Sequence, residues 1–372
     1  MSLLQIGETV GERYVVKAEI GRGGMQEVYR VHDDVLQRIV ALKVPQDARV
    51  ARKFRESSVL AARVNHPNVA KTLDYFEDEG GRFYMVEEYV DGLDLKRILA
   101  QFKRCDPHTA AHVMHHLARG LAASHRAGVV HRDLKPSNIM VAGGLDFAGL
   151  KITDFGIAKM AEHEIDEAVS GGDETTRSSK TVMNALAYVA PEVVDKPRTA
   201  SKPSDVWAIA AITWETLTGA PPFGAGLQAL KALFSSQTPP SLRPEIANHP
   251  QFGGLSRELA EIITSCFERE PEGRPTADQL SARCDEVCYL PPVRETGVIN
   301  VYRAGTFGFI ESDGGDTVFF HTQNVVGDGH SRGAVGCDRG LITRWRSPVW
   351  IVFRQRQTGL RVRRGPAWKA DR

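Results

Sequence analysis

Within one stretch of about two dozen residues the chain sets two aspartates, a lysine and an asparagine where they could act on a single substrate. The run His131-Arg132-Asp133-Leu134-Lys135-Pro136-Ser137-Asn138 places a carboxylate, a cation and an amide on one short loop. That set suits phosphoryl transfer. A carboxylate orients a hydroxyl nucleophile and accepts its proton, an ammonium steadies charge moving on a γ-phosphate, and an amide oxygen ligates Mg²⁺. These roles fall to Asp133, Lys135 and Asn138. Asp154-Phe155-Gly156 follows the strand-like run Leu150–Thr153 and supplies a second, metal-bridging carboxylate.

Phosphate also needs a cradle. Gly21-Arg22-Gly23-Gly24-Met25-Gln26-Glu27-Val28 lies between two strand-like runs, where missing side chains let backbone N–H groups approach phosphate oxygens. By itself such a run is only a turn. It gains meaning from Val40-Ala41-Leu42-Lys43 downstream, because a strand-borne lysine can neutralise α/β-phosphate charge.

These residues need rigid elements to hold them. Short alternating runs at Tyr14–Ile20, Arg38–Val44 and Phe83–Val90, with one helical stretch near 50–64, predict a small sheet carrying one helix. From about residue 93 to 290 the apolar spacing turns helical, as in Ala110–Ala123, Ser204–Thr218 and Leu255–Phe267, with loops at Gly143–Gly149 and Ala161–Lys180. Pro291-Pro292 breaks the last helix, and Gly-punctuated strands follow. The expected class is α+β: a strand-rich lobe over 1–90, a helical lobe over 91–290, and a small all-β module over 291–372.

Over about residues 10–288 the sequence resembles the eukaryotic-like protein kinases, and Gly23-Gly24-Met25 is most similar to their bacterial serine/threonine branch. Ala190-Pro191-Glu192, Ser204-Asp205-Val206-Trp207 and Gly273-Arg274-Pro275 extend the match. The resemblance implies a two-lobed fold with ATP in the cleft. Gly21, Gly23, Gly24, Val28, Ala41 and Lys43 would line the nucleotide, with the adenine edge at Glu88 and Val90 and Asp94 at the ribose. It also implies a structural ion pair between Glu192 and Arg274, and an Asp205 that braces the catalytic loop. The reaction implied is phosphorylation of serine or threonine with ATP and Mg²⁺, on a protein substrate the sequence does not name.

The chain departs from the pattern at several positions. Gln26 stands where the third glycine belongs. The helix glutamate expected to pair with Lys43 is Glu56 if one residue is inserted before His66-Pro67; without that insertion the position is Ser57. The residue before Glu88-Tyr89-Val90, usually apolar or threonine, is Glu87. A carboxylate is costly to bury there unless paired, so Glu87 is expected to approach Lys43 from the back of the pocket and partly replace the helix partner. Asn184-Ala185 stands where a Gly-Thr touches the catalytic residues in serine/threonine kinases, although Lys135 still points to a serine or threonine acceptor. Between Ala158 and Asn184, Thr175, Thr176, Ser178, Ser179 and Thr181 cluster beside Arg177 and Lys180. They read either as a polar loop or as autophosphorylation sites whose phosphate Arg132 would grip.

Beyond residue 290 the electrostatics change. Residues 291–372 carry 13 Lys/Arg against seven Asp/Glu, whereas the rest of the chain is net acidic, and the excess favours a polyanionic partner. Thr306-Phe307-Gly308-Phe309-Ile310 and Val318-Phe319-Phe320-His321 alternate with period two, setting Phe307 and Phe309, and Phe319 and His321, on shared faces as stacking platforms for unpaired bases. The two runs resemble the ribonucleoprotein motifs of the cold-shock domain, an OB-type barrel. Its stacking tryptophan falls here near Val301 or Tyr302. The implied partner is single-stranded RNA or DNA.

Five cysteines without a Cys-x-x-Cys pair make no disulfide framework, and Cys284 and Cys288, at helical spacing, read as buried thiols. His108, His112, His115 and His116 share helical spacing and read as packing residues rather than metal ligands, since His-Glu-x-x-His is absent. No apolar run approaches the roughly 20 residues that span a bilayer, and the N-terminus lacks signal-peptide features, so a cytoplasmic protein without membrane contact is expected. Two readings stay open: an active kinase with a nucleic-acid-binding module, and a pseudokinase-like RNA-binding scaffold suggested by Ser57, Glu87 and Ala185. In a third, the C-terminal module only docks proteins.

Overall fold

In the computed structural model the described residues are 2–23, 26–46, 55, 58–143, 147–155, 185–196, 199–235, 241–290, 293–303, 307–312, 315–321, 325–326, 339–343 and 349–354. The chain divides into two compact units, 1–292 and 293–372.

The first unit begins with a sheet of six strands: β1 (Thr9–Val10), β2 (Tyr14–Arg22), β3 (Gln26–Asp33), β4 (Arg38–Pro45), β5 (Thr72–Glu77) and β6 (Phe83–Glu88), ordered β1-β2-β3-β4-β6-β5. Alternation in β2 and β3 sends Tyr14, Val16, Tyr29 and Val31 to one side, where they close a core with Val40, Leu42, Val44, Tyr84 and Val86. The rings of Tyr14, Phe76 and Tyr84 stack along it. β4 is buried over almost its whole length, so it can hold a side chain out of water.

A three-stranded sheet, β7 (Gly92–Asp94), β8 (Ile139–Ala142) and β9 (Gly149–Ile152), leads into the helical part. Its long helices are α1 (Leu95–Phe102), α2 (Pro107–Arg126), α4 (Lys202–Thr218), α5 (Leu227–Phe234), α7 (Gly253–Ser265) and α8 (Ala277–Glu286); α3 (Pro191–Asp195) and α6 (Pro244–Ala247) are single turns. Their ends follow local chemistry. Asp106 caps α2, accepting from Thr109 N at 3.0 Å with Pro107 at the first turn. Ser201 and Ser204 form a capping box on α4, which stops at Gly219 in the left-handed region, φ 85°. α2 and α4 pack together as the buried axis of this half.

The first unit thus has the strand-rich and helical lobes expected of it. One expectation fails: α8 ends at Glu286, so Cys284 is buried but Cys288, beyond the last turn, is exposed. The histidines of α2 pack as read. His112 Nε2 meets Phe147 O at 3.2 Å, His115 Nδ1 meets Tyr289 OH at 2.8 Å, His116 Nδ1 meets Asn68 Nδ2 at 2.9 Å, and His108 Nδ1 accepts from Leu290 N at 3.1 Å. Among the described residues no helix is long and apolar enough to cross a membrane.

The second unit is a six-stranded sheet. Its strands are β10 (Val293–Arg303), β11 (Phe307–Ser312), β12 (Thr317–His321), β13 (Val325–Val326), β14 (Arg339–Thr343) and β15 (Val349–Arg354), ordered β12-β11-β10-β15-β14-β13. β10 pairs in parallel with β15 and the other neighbours are antiparallel.

Candidate active site

Lys43 projects from the buried stretch of β4 and is itself 4% exposed. Its Nζ is shared by two carboxylates: Glu87 Oε2, in hydrogen-bond contact, and Asp154 Oδ1 at 2.9 Å. β4 and β6 are neighbours, with Ala41 opposite Glu87 and Lys43 opposite Met85, so Glu87 reaches the lysine from within the same sheet. Burial works against the charge on Lys43, but Asp154 and Glu87 outweigh it and hold the ammonium above its ordinary value. Burial pushes the Glu87 carboxyl up, against the pull of Lys43. Burial also opposes ionisation of Asp154, but Lys43 and the amide of Gln26 hold it below the usual range.

The loop after α2 is locked from beneath. Buried Asp205, on α4, accepts His131 N at 2.8 Å and Arg132 N at 2.7 Å, and meets His125 Nε2 at 2.9 Å. Arg132 sits in the left-handed region, φ 68°, a conformation that costs a non-glycine residue about 1–3 kcal/mol and needs a surrounding structure that over-determines it. Asp205 supplies that constraint. His131 is fully buried, meets Thr153 O at 2.9 Å through Nε2, and lies 4.6 Å from the Phe155 ring centroid.

On this frame Lys135 Nζ reaches Asp133 Oδ2 at 2.7 Å and Oδ1 at 3.0 Å. Asn138 Nδ2 donates to Asp133 O at 2.8 Å. The loop is tied to the end of β9 by Thr153 N donating to Asn138 O at 2.9 Å. Asp154 comes next, also left-handed at φ 62°. Asp133, Lys135, Asn138, Asp154 and Lys43 are therefore joined through a continuous set of short bonds.

The other expected positions are distributed around these. Gly21 pairs with Val28 and Val28 with Lys43, and Gly23 N donates to Gln26 O at 2.9 Å, closing the hairpin above Lys43. Ala41 and Val90 are buried, and Glu88 pairs with Lys151 at 3.0 Å. Asp94 caps α1, accepting from Arg97 N at 2.8 Å. The expected pair of Glu192 and Arg274 is present as a two-pronged contact of 2.7 and 2.8 Å, with the guanidinium over Trp207 at 4.9 Å. Gly24, Glu56 and the cluster Thr175, Thr176, Ser178, Ser179 and Thr181 lie outside the described residues. One contact was not foreseen. Gln26 Nε2 donates to Asp154 Oδ1 at 2.8 Å, and its only sequence signal was a side chain where a glycine was expected.

In the second unit the register sets Phe307 opposite His321 and Phe309 opposite Phe319. The Phe307 and Phe309 ring centroids lie 5.8 and 5.5 Å from that of Phe319. Phe319 is 50% exposed, while Ile310 is fully buried. β10 sets Val301 opposite Phe309 and Tyr302 opposite Gly308. Val301 therefore holds the register position beside the phenylalanines.

This fold and this arrangement of groups define a protein kinase domain. The chain matches the protein kinase domain family over residues 14–283 and belongs to it. It is 33% identical over 290 residues to serine/threonine-protein kinase PknA of Mycobacterium tuberculosis, covering 75% of this chain and 63% of that one. It is 34% identical over 289 residues to PrkC of Bacillus subtilis, covering 74% and 41%, and 32% identical over 283 residues to pkn3 of Myxococcus xanthus, covering 73% and 49%. The chain thus spans less than two thirds of the length of these relatives. Among solved structures, Rad53 1-466 in complex with AMP-PNP aligns with TM-score 0.55 at 24% identity, covering 73% of this chain and 64% of that one, and shares the fold.

Proposed function

We propose that the protein is an ATP-dependent serine/threonine protein kinase. The observation that carries this reading is the bonded set running from Lys43 through Asp154, Thr153 and Asn138 to Asp133 and Lys135. A scaffold that had lost catalysis would have no need to keep all five groups mutually oriented.

The reaction follows from their chemistry. Asp133 orients the acceptor hydroxyl and takes its proton as the hydroxyl oxygen bonds to the γ-phosphorus. The bond from that phosphorus to the β–γ bridging oxygen breaks, and ADP leaves. Lys135, already beside Asp133, offsets charge on the transferred group, and Lys43 does the same at the α/β-phosphates. The hard oxygen donors Asp154 and Asn138 suit Mg²⁺, which when bound neutralises phosphate charge. Gly21, Gly23, Gly24, Val28 and Ala41 cover the nucleotide, Glu88 and Val90 meet the adenine edge through their backbone, and Asp94 lies toward the ribose. The clustered Thr175, Thr176, Ser178, Ser179 and Thr181 are the proposed autophosphorylation sites, and the relatives' names support serine or threonine as acceptor.

The test is transfer of labelled γ-phosphate from ATP to the protein itself and to a generic acceptor. Asp133→Ala is expected to lower the rate at least a hundredfold with little change in ATP affinity. Equal rates in the two proteins would sink the reading. A second reading concerns the C-terminal unit: an OB-type, cold-shock-like barrel that binds single-stranded RNA or DNA. The half-exposed Phe319 between Phe307 and Phe309, with His321 on β12 and Tyr302 on the neighbouring β10, supports it.

A further inference from the structure

Gln26 opens β3 at the foot of the glycine-rich hairpin, and its side chain turns inward over the nucleotide site rather than out to solvent. Its Nε2 donates to Asp154 Oδ1 at 2.8 Å, the same oxygen that lies 2.9 Å from Lys43 Nζ. The two ends of the amide then differ in kind. Nε2 is satisfied, but Oε1 is buried and has no hydrogen-bond partner among the described residues. A buried acceptor left without a donor costs folding free energy, so such an atom marks a place completed by something else. Lys43, which shares Asp154 Oδ1 with this amide, is already engaged by Glu87 and Asp154.

The missing partner must lie close to Asp154, because the amide's own geometry ties Oε1 to within about 5 Å of the carboxylate oxygen that Nε2 holds. A small divalent cation on a carboxylate sits at about 2 Å and keeps several of its waters, each a strong donor reaching a further hydrogen-bond length outward. The orphaned oxygen therefore falls within range of a hydration shell on Asp154. A glycine at this position would hold neither the carboxylate nor the shell.

Resting on the kinase reading, we infer that Gln26 is a further residue of the divalent-cation site: its Nε2 fixes Asp154, and its Oε1 accepts from the waters of the cation that Asp154 holds. It acts as a positioning residue that ties the start of β3 to Asp154. Outer-shell partners of this kind typically contribute about tenfold or more to metal affinity.

The experiment uses the full-length protein with AMP-PNP, following Mn²⁺ by the loss of its free electron paramagnetic resonance signal. Two near-isosteric variants separate the two ends of the amide. Gln26→Met removes both polar atoms and is expected to weaken Mn²⁺ binding to the nucleotide complex about tenfold. Gln26→Glu keeps an oxygen at the position and is expected to bind Mn²⁺ within about twofold of wild type or more tightly. In EDTA, AMP-PNP affinity should change little in either. Mn²⁺ affinity unchanged in Gln26→Met would overturn the inference. So would tighter binding there, which would make Gln26 a latch that blocks the metal. Asp154→Asn separates this from the reading beneath it. If Asp154→Asn binds Mn²⁺ and AMP-PNP as wild type does, the kinase reading fails; if it loses Mn²⁺ while Gln26→Met does not, only the role of Gln26 fails.

Discussion

Glu87 is a carboxylate at 3% exposure on β6, and it persists there because Lys43 is its partner. Burying both charges is expensive, and their attraction offsets that cost only with close geometry. The adjacent register of β4 and β6 provides it. An ion pair formed inside one sheet has a further property: no helix has to move to make it. Glu87→Gln keeps the shape but leaves Lys43 with Asp154 alone, so the lysine should sit nearer Asp154 and less well for phosphate. The expected outcome is a roughly tenfold loss in ATP affinity, about 1.4 kcal/mol, measured by calorimetry with AMP-PNP. Unchanged affinity would count against a positioning role. Gln26 was visible in the sequence only as a departure, because a long side chain can turn out or in and only the folded hairpin decides which.

At the scale of elements, α2 carries the histidines, and their behaviour belongs to the helix as a whole. Its apolar spacing was legible, as were its capping residues Asp106 and Pro107, since these depend on neighbours in sequence. What each ring meets was not, because the partners come from Asn68, Phe147 and Tyr289. His116 is held down to about 4, first by burial and then by His112 and other nearby positive groups. Its folded value lies below the ordinary 6.5, so the neutral ring is favoured by folding. That contribution is complete above about pH 6.5 and is lost as pH falls toward 4, when the unfolded chain takes up a proton first. Urea denaturation at pH 7 and pH 5 should show a loss on the order of 1 kcal/mol from this residue, since solvent reaching the half-buried ring screens part of the effect. His116→Gln should reduce the slope, and an equal slope in both proteins would remove the assignment. Distant pairs such as Glu192 and Arg274 were expected only through the family pattern; the two-pronged contact and the ring of Trp207 beneath it are products of packing.

At the scale of the molecule, the basic excess lies in the second of the two compact units. Binding of single-stranded oligonucleotide to the intact protein should weaken as salt rises, since each neutralised phosphate releases counterions. Phe319→Ala should cost about 1–3 kcal/mol, read from fluorescence anisotropy of a labelled poly-pyrimidine strand; no binding at low salt, or binding indifferent to this change, would overturn the proposal. The sequence by itself determined the chemistry on offer. Asp133, Lys135, Asn138 and Asp154 lie within one short stretch, and alternation along β2, β4 and β11 declared which residues share a face, because both depend on local spacing. The tertiary structure alone decided how that chemistry is held: Glu87 against Lys43 across two strands, Asp205 beneath Arg132 from another helix, Gln26 over Asp154 from the far side of the cleft. Those contacts join residues between 44 and 128 positions apart. No local preference encodes such meetings; the burial of two sheets and a helical core brings them about.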